Sequence, residues 1–330
     1  MKKLLLILLI TSVSLSAQTG KAFEINKKIG RGVNIIGYDP IWKNFEHGRF
    51  KEAYFSKIKE EGFNSVRINL QAFSFMDKKT NQLSESWFNT LDWAVNNALK
   101  NNLTVILDMH NFSDMGNAPA ENLPRLKSFW DQVSDHYQNY PDDVIFELLN
   151  EPFGKLTDDL WNDYIKELLP IVRRNNPDRI LIIGPGFWNN IYHLDSLSIP
   201  KDDKNIIVTV HYYLPMEFTH QGASWTPEFK DLKNITWGTP QDLSKVRNDF
   251  ALVNQWAKKN NRPIYLGEFG VLENAQMIDR IKYLDFITRK AELYNWSWGY
   301  WQFDSDFVLY FVDKDEWNLP ILDALIPKKE

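Results

Sequence analysis

Eight short apolar runs, many of them rich in β-branched residues, recur along the chain, and longer segments separate them. They are GVNII (32–36), SVRINL (65–70), TVILDMH (104–110), VIFELLN (144–150), RILIIG (179–184), IIVTVHYY (206–213), PIYLGEFG (263–270) and WGYWQF (298–303). Runs of this length and composition read as strands. Between them, residues 50–62, 87–102, 123–138, 158–175, 242–260 and 276–294 carry the spacing of amphipathic helices. Several strands begin just after a helix-ending Asn or Pro, in GFNS, KNNL, NYPDD, NNPDR and KNNRP. Eight strands alternating with helices predict an α/β fold, a (β/α)8 TIM barrel. The alternative, a doubly wound open sheet, carries a Gly-rich phosphate loop in its first βα turn. GYDPIWKNF follows the first run here and is no such loop.

No Pro/Gly/Ser-rich linker or low-complexity tract interrupts residues 20–330, so a single catalytic domain over 18–330 is expected. The segment before it differs. Lys2 and Lys3 precede the apolar run Leu4–Ile10, and TSVSLSAQ follows, which is the layout of a secretory signal peptide over residues 1–17. The run is too short to span a membrane comfortably. Export is expected, to the cell surface, the medium or a periplasm, with no membrane contact after cleavage.

Cysteine is absent, which excludes disulfides and thiolate metal sites. Net charge is −5 with both signs scattered and no basic stripe, which argues against a nucleic-acid partner. Nothing calls for an assembly, and a monomer is expected. Aromatics make up 14% of the chain, with 13 Trp and 13 Tyr, which suits a large core and also suits sugar binding. A pyranose ring exposes an apolar C–H face that packs on an indole.

In such barrels the reacting groups come from the C-terminal ends of different strands. Read to their ends, the strands give Arg67 and Asn69, then Asp108, His110 and Asn111, then Asn150 and Glu151. His211 and Tyr213, Glu268, and Trp301 with Gln302 complete the set. Glu151 and Glu268 stand at equivalent heights on the fourth and seventh strands. Paired carboxyls are the chemistry of glycoside hydrolysis, where one protonates the leaving oxygen and the other attacks or activates water. Arg67 beside Glu268 would keep that carboxylate ionised, and the Tyr213 hydroxyl could donate to it. Glu151, facing a neighbouring negative charge, would hold its proton longer. Glu147 lies below the rim and is expected to be a buried partner of another polar group.

At LLNEP (148–152), VHYYLPMEFTHQGASW (210–225), PIYLGEFG (263–270) and WGYWQF (298–303) the sequence resembles glycoside hydrolase family 5. This is a family of retaining (β/α)8 endoglucanases and mannanases. The resemblance covers essentially the whole mature chain. It implies Glu151 as acid/base and Glu268 as nucleophile, with Asn150 on the 2-hydroxyl of the reacting sugar. It also implies Arg67 as the arginine that orients the nucleophile, His110 and His211 lining the same subsite, and Tyr213 beside Glu268. Trp301 would be the floor on which the sugar stacks. Trp225 is the best further sugar platform, ahead of Trp42, Trp188 and Trp237, and His220 reads as a loop-holding hydrogen bonder.

The implied partner is a polysaccharide or oligosaccharide, β-1,4-glucan first, with mixed-linkage glucan, glucomannan and mannan open. No metal and no cofactor are expected. Two positions depart from related endoglucanases: Asn111 stands where a second His is common, and Gln302 where Glu is common. Two other readings compete. A metal-dependent barrel would use Asp108, His110, Glu151, His211 and Glu268 as ligands, but Arg67 is a fixed cation at the same rim. A non-catalytic glycan-binding barrel would be marked by loss of either glutamate, and both are present.

Overall fold

The computed structural model describes residues 19–328. The eight runs form β1 (Arg31–Ile35), β2 (Ser65–Leu70), β3 (Thr104–Met109), β4 (Val144–Glu147), β5 (Leu181–Ile183), β6 (Ile206–His211), β7 (Ile264–Glu268) and β8 (Ser297–Tyr300). Each pairs in parallel with its neighbours in chain order. The ring closes where Arg31, Gly32 and Val33 of β1 pair with Trp298, Gly299 and Tyr300 of β8. The signal-peptide segment, residues 1–17, lies outside the described residues. No helix among the described residues is long and apolar enough to cross a membrane.

The helices are α1 (Lys21–Ile29), α2 (Ala53–Glu60), α3 (Glu85–Lys100), α4 (Phe112–Asn117), α5 (Pro119–His136), α6 (Asp158–Asn175), α7 (Gly186–Asn189), α8 (Met216–Thr219), α9 (Pro240–Asn260), α10 (Met277–Leu293) and α11 (Leu319–Leu325). Six of them occupy the segments with helical spacing. Their starts are chemically marked: Ser84 and Thr157 cap α3 and α6, and Thr239 with Asp242 forms a capping box on α9. After β5 the repeat breaks. Instead of a long helix the chain makes α7, a single turn, and a 3₁₀ segment at Ile191–Ser196. Phe187, Trp188 and Asn189 all have φ between 53° and 62°, in the left-handed region. A right-handed helix cannot propagate from such a turn.

The period-two alternation of the strands sorts their side chains into two apolar clusters. Val66, Ile68, Val105, Leu107, Val144 and Phe146 join the cluster shared with the surrounding helices. The alternate positions Ile106, Ile145, Ile182, Ile207 and Tyr265 form a second cluster with Ala22 and Ile29 of α1. Helix α1, which the spacing does not announce, is the stopper of the N-terminal end. Its Asn26 amide donates to the Ile264 carbonyl, and its carbonyl oxygen accepts from the Ser297 hydroxyl at 2.7 Å. One end of the barrel is thereby sealed, and the other carries the polar strand ends.

Candidate active site

Arg67 on β2 is the centre of the polar end. Its guanidinium is buried and donates to Glu147 (2.7 and 3.0 Å), Glu268 Oε1 (2.8 Å), Asn34 Oδ1 (2.8 Å) and Asn150 Oδ1 (2.9 Å). A charge this deep is tolerated only when paired and hydrogen-bonded throughout. Burial works against the Arg67 charge, but Asp108, Glu147 and Glu268 outweigh it and hold it firmly protonated. Glu147 is thus the buried partner of Arg67. Burial pushes its carboxyl up to about 7 against the pull of the guanidinium. Asp108 is held below the ordinary carboxylate range, because Arg67 and His110 overcome its burial. Its Oδ2 lies 2.5 Å from His110 Nδ1.

The two rim carboxyls have unequal settings. Glu268 takes a hydrogen bond from the Arg67 cation and a second, at 3.0 Å, from the Tyr213 hydroxyl. Glu151 touches no cation: its Oε1 lies 2.7 Å from His211 Nδ1. Asn189 Nδ2 faces His211 Nε2 at 3.2 Å, which makes Nε2 the acceptor and leaves the ring proton on Nδ1. Burial keeps that imidazole neutral, with its pKa down to about 4. Burial is also the main reason the Glu151 carboxyl is pushed up to about 7. The neighbouring negative charge expected from the sequence is a lesser contribution, from Asp108, and His110 and Arg67 oppose it.

Local backbone places these groups. Glu151 follows the end of β4 with φ at 43°, in the left-handed region, immediately before Pro152. A residue before proline is ordinarily extended, so this conformation is strained and is held by its surroundings. Asn150 N bonds Met109 O at 2.9 Å, and Trp188 N bonds Pro152 O at 3.0 Å, pinning the segment from both sides. Before the other carboxylate stands Gly267, where an added Cβ would lie 2.5 Å from Thr209 Oγ1 and 3.0 Å from His211 Nε2. The missing side chain lets β6 bring His211 up to both glutamates.

The groups open into a cavity of about 910 Å³ lined by Asn150, Glu151, His211, Glu268 and several aromatic rings. Trp301 lies parallel to His110, with ring centres 5.6 Å apart. Of the proposed platforms, Trp188 and Trp225 line the cavity and are exposed. Trp42 stacks on Trp87 and donates to the Ile36 carbonyl, and Trp237 is buried against Tyr283, so neither reaches the cleft. His220 Nδ1 meets Thr219 Oγ1 at 2.9 Å and its ring packs on Tyr213, so it supports the wall and also lines the cavity. Asn111 faces its own loops, accepting from Phe73 N and donating to Asp114.

Asn34 escapes the sequence reading. It accepts from Arg67 and Asn69 while its amide donates to the Gly267 and Tyr300 carbonyls, tying β1 to β7 and β8. Tyr38, Phe187 and Phe307 line the cavity and were not anticipated either.

Among the described residues one group has ligand atoms close enough for a metal ion: Glu151, His211 and Glu268, within 4.8 Å of one another. Arg67 Nη1, 2.8 Å from Glu268, already supplies the positive charge there and opposes a divalent ion. A closed parallel eight-stranded barrel with two carboxyls facing each other across a polar mouth is the arrangement that (β/α)8 glycoside hydrolases use. The profile of the family Cellulase (glycosyl hydrolase family 5) matches residues 26–306, and the chain belongs to that family.

The chain is 31% identical to Endoglucanase H of Acetivibrio thermocellus over 96% of its own length and 35% of that protein's. It is 26% identical to Endoglucanase 3 of Fibrobacter succinogenes, over 85% of its own length and 50% of the relative's. It therefore spans half or less of these two relatives. Endoglucanase Cel5A of Thermotoga maritima, a solved structure, is 39% identical with a TM-score of 0.88, over 92% of this chain and 99% of that one.

Proposed function

We propose that this protein is an exported, retaining endoglucanase that cleaves β-1,4-linked glucan by double displacement. The observation that carries the reading is the pair of close but unequal carboxyls. One oxygen of Glu151 and one of Glu268 lie within 4.8 Å of each other, a closeness that favours direct attack over a site that must admit a water. Glu268, bonded by a fixed cation and a phenol, is the nucleophile and attacks the anomeric carbon. Glu151, with its carboxyl pushed up to about 7, gives its proton to the departing glycosidic oxygen. In the second step Glu151 takes a proton from water, the water displaces Glu268, and the anomeric configuration is retained.

Asn150 Oδ1 is occupied by Arg67, so the Asn150 amide hydrogens remain for the 2-hydroxyl of the reacting sugar. Trp301 is the floor of that subsite, and Trp225 and Trp188 are platforms for further units. Support for glucan comes from relatives named endoglucanases. A second reading, tolerance of mannan, is supported by the T. maritima Cel5A structures, solved with cellobiose and with mannotriose at 38% identity to this chain. Export is supported by the pattern of residues 1–17, and N-terminal sequencing of the secreted protein tests it.

The test of function is a panel of carboxymethylcellulose, lichenan, glucomannan and mannan, with product sizes followed over time and the first product read by proton NMR. Internal cleavage of glucan with a β-anomer appearing first is expected. An α-anomer would overturn the role given to Glu268.

A further inference from the structure

Arg67 spends only one of its five N–H groups on the proposed nucleophile. Nε and one Nη2 hydrogen fork onto the two oxygens of Glu147, at 2.7 and 3.0 Å. The other Nη2 hydrogen goes to Asn150 Oδ1 at 2.9 Å, and Nη1 serves Glu268 and Asn34 at 2.8 Å each. A fork on one edge of a guanidinium fixes its plane as well as its position. Here the remaining edge carries both groups that meet the reacting sugar.

Glu147 is fully buried and lies outside the cavity lining. Among the described residues its side chain has no hydrogen-bond partner other than Arg67. Charge balance alone gives little reason for it. Three carboxyl groups, Asp108, Glu147 and Glu268, surround one cation, so Asp108 and Glu268 would already neutralise Arg67 without Glu147. What an apolar side chain could not do is hold the guanidinium plane.

We infer that Glu147 is a positioning residue: through the Arg67 fork it aims the Glu268 carboxylate and the Asn150 amide together, as one rigid unit. The inference rests on the hydrolase reading above. It links two contributions to catalysis, the direction of nucleophilic attack and the hydrogen bond to the 2-hydroxyl that strengthens in the transition state.

The test is Glu147→Gln in the full chain. The amide keeps the shape of the carboxyl but turns one acceptor into a donor facing Arg67, so only half the fork forms. On 2,4-dinitrophenyl β-cellobioside, kcat falls on the order of 100-fold while KM stays within about threefold, because alignment is lost rather than binding. With the analogue lacking the 2-hydroxyl on the reacting sugar, the wild type slows strongly. The Glu147→Gln variant slows much less further, because its Asn150 is already misaimed. Glu147→Asp, which keeps the charge and both acceptors, recovers part of kcat.

A Glu147→Gln variant with wild-type kcat, or with an undiminished 2-hydroxyl effect, would reduce Glu147 to space-filling and overturn the inference. Should the Gln variant fail to fold by near-ultraviolet circular dichroism, the same two substrates are run on Glu147→Asp, with partial losses of both kinds expected. A wild type that cleaves neither substrate removes the hydrolase reading, and the inference with it.

Discussion

Below the middle of the barrel, Ile106, Ile145 and Ile207 meet Tyr265 and the underside of α1 in a buried apolar cluster. Two residues further along the same strands stand Asp108, Glu147 and Thr209, all buried, with Arg67 between them. The same two-residue alternation aims both sets at the barrel axis. In the lower half each side chain adds apolar area removed from water, and none of the isoleucines needs a partner. In the upper half each charge is tolerated only because its neighbours complete it. The lower half can therefore lose a member and stay itself, whereas the upper half acts as a unit. That division predicts that changes below cost stability and spare turnover, while changes above cost turnover first.

The strongest way to break this division is Glu268→Gln. Loss of the proposed nucleophile should lower kcat/KM on the order of 10⁴-fold while the melting temperature stays close to wild type. A large fall in melting temperature would show that the upper half is part of the structural core. Ile145→Ala probes the other half: it should cost about 2–5 kcal/mol in urea unfolding and leave kcat/KM of the folded protein within about threefold.

The pH profile sharpens the contrast within the upper half. Glu151 must carry a proton to act as acid, and its carboxyl is pushed up to about 7. Turnover is then present below that pH and falls about tenfold per unit above it. In Glu151→Gln that basic limb should vanish from the residual activity, and an unchanged limb would assign it to another group. The smallest effect is expected at Trp225→Ala, an exposed ring at the cavity wall. It should weaken kcat/KM on polymeric glucan by roughly tenfold, about 1.4 kcal/mol, and affect a short aryl cellobioside less. Equal losses on both substrates would place Trp225 at the reacting sugar.

The strands were legible because apolar runs are local, and the two glutamates because strand ends are local too. Asn34 was not, since its importance depends on Arg67, 33 positions along the chain, and a lone Asn in GVNII shows nothing of that. Trp225 stood out through its motif, but Trp188 could not be told from Trp42 and Trp237, because exposure is decided by tertiary packing rather than by neighbours in sequence. Phe187 entered the cleft through a run of left-handed residues that no residue type there announces: Phe, Trp and Asn take the place of the usual Gly. The N-terminal stopper was missed for a related reason. What makes α1 matter is the open barrel end it fills.

The strained backbone at Glu151 has an evolutionary corollary. Directed evolution toward heat tolerance would favour Gly or Asn at position 151, residues at ease where a Glu is not, and every such winner would have lost the proposed proton donor. Hardiness and turnover are antagonists at that one codon, so a lineage drifting free of its substrate should shed this glutamate early.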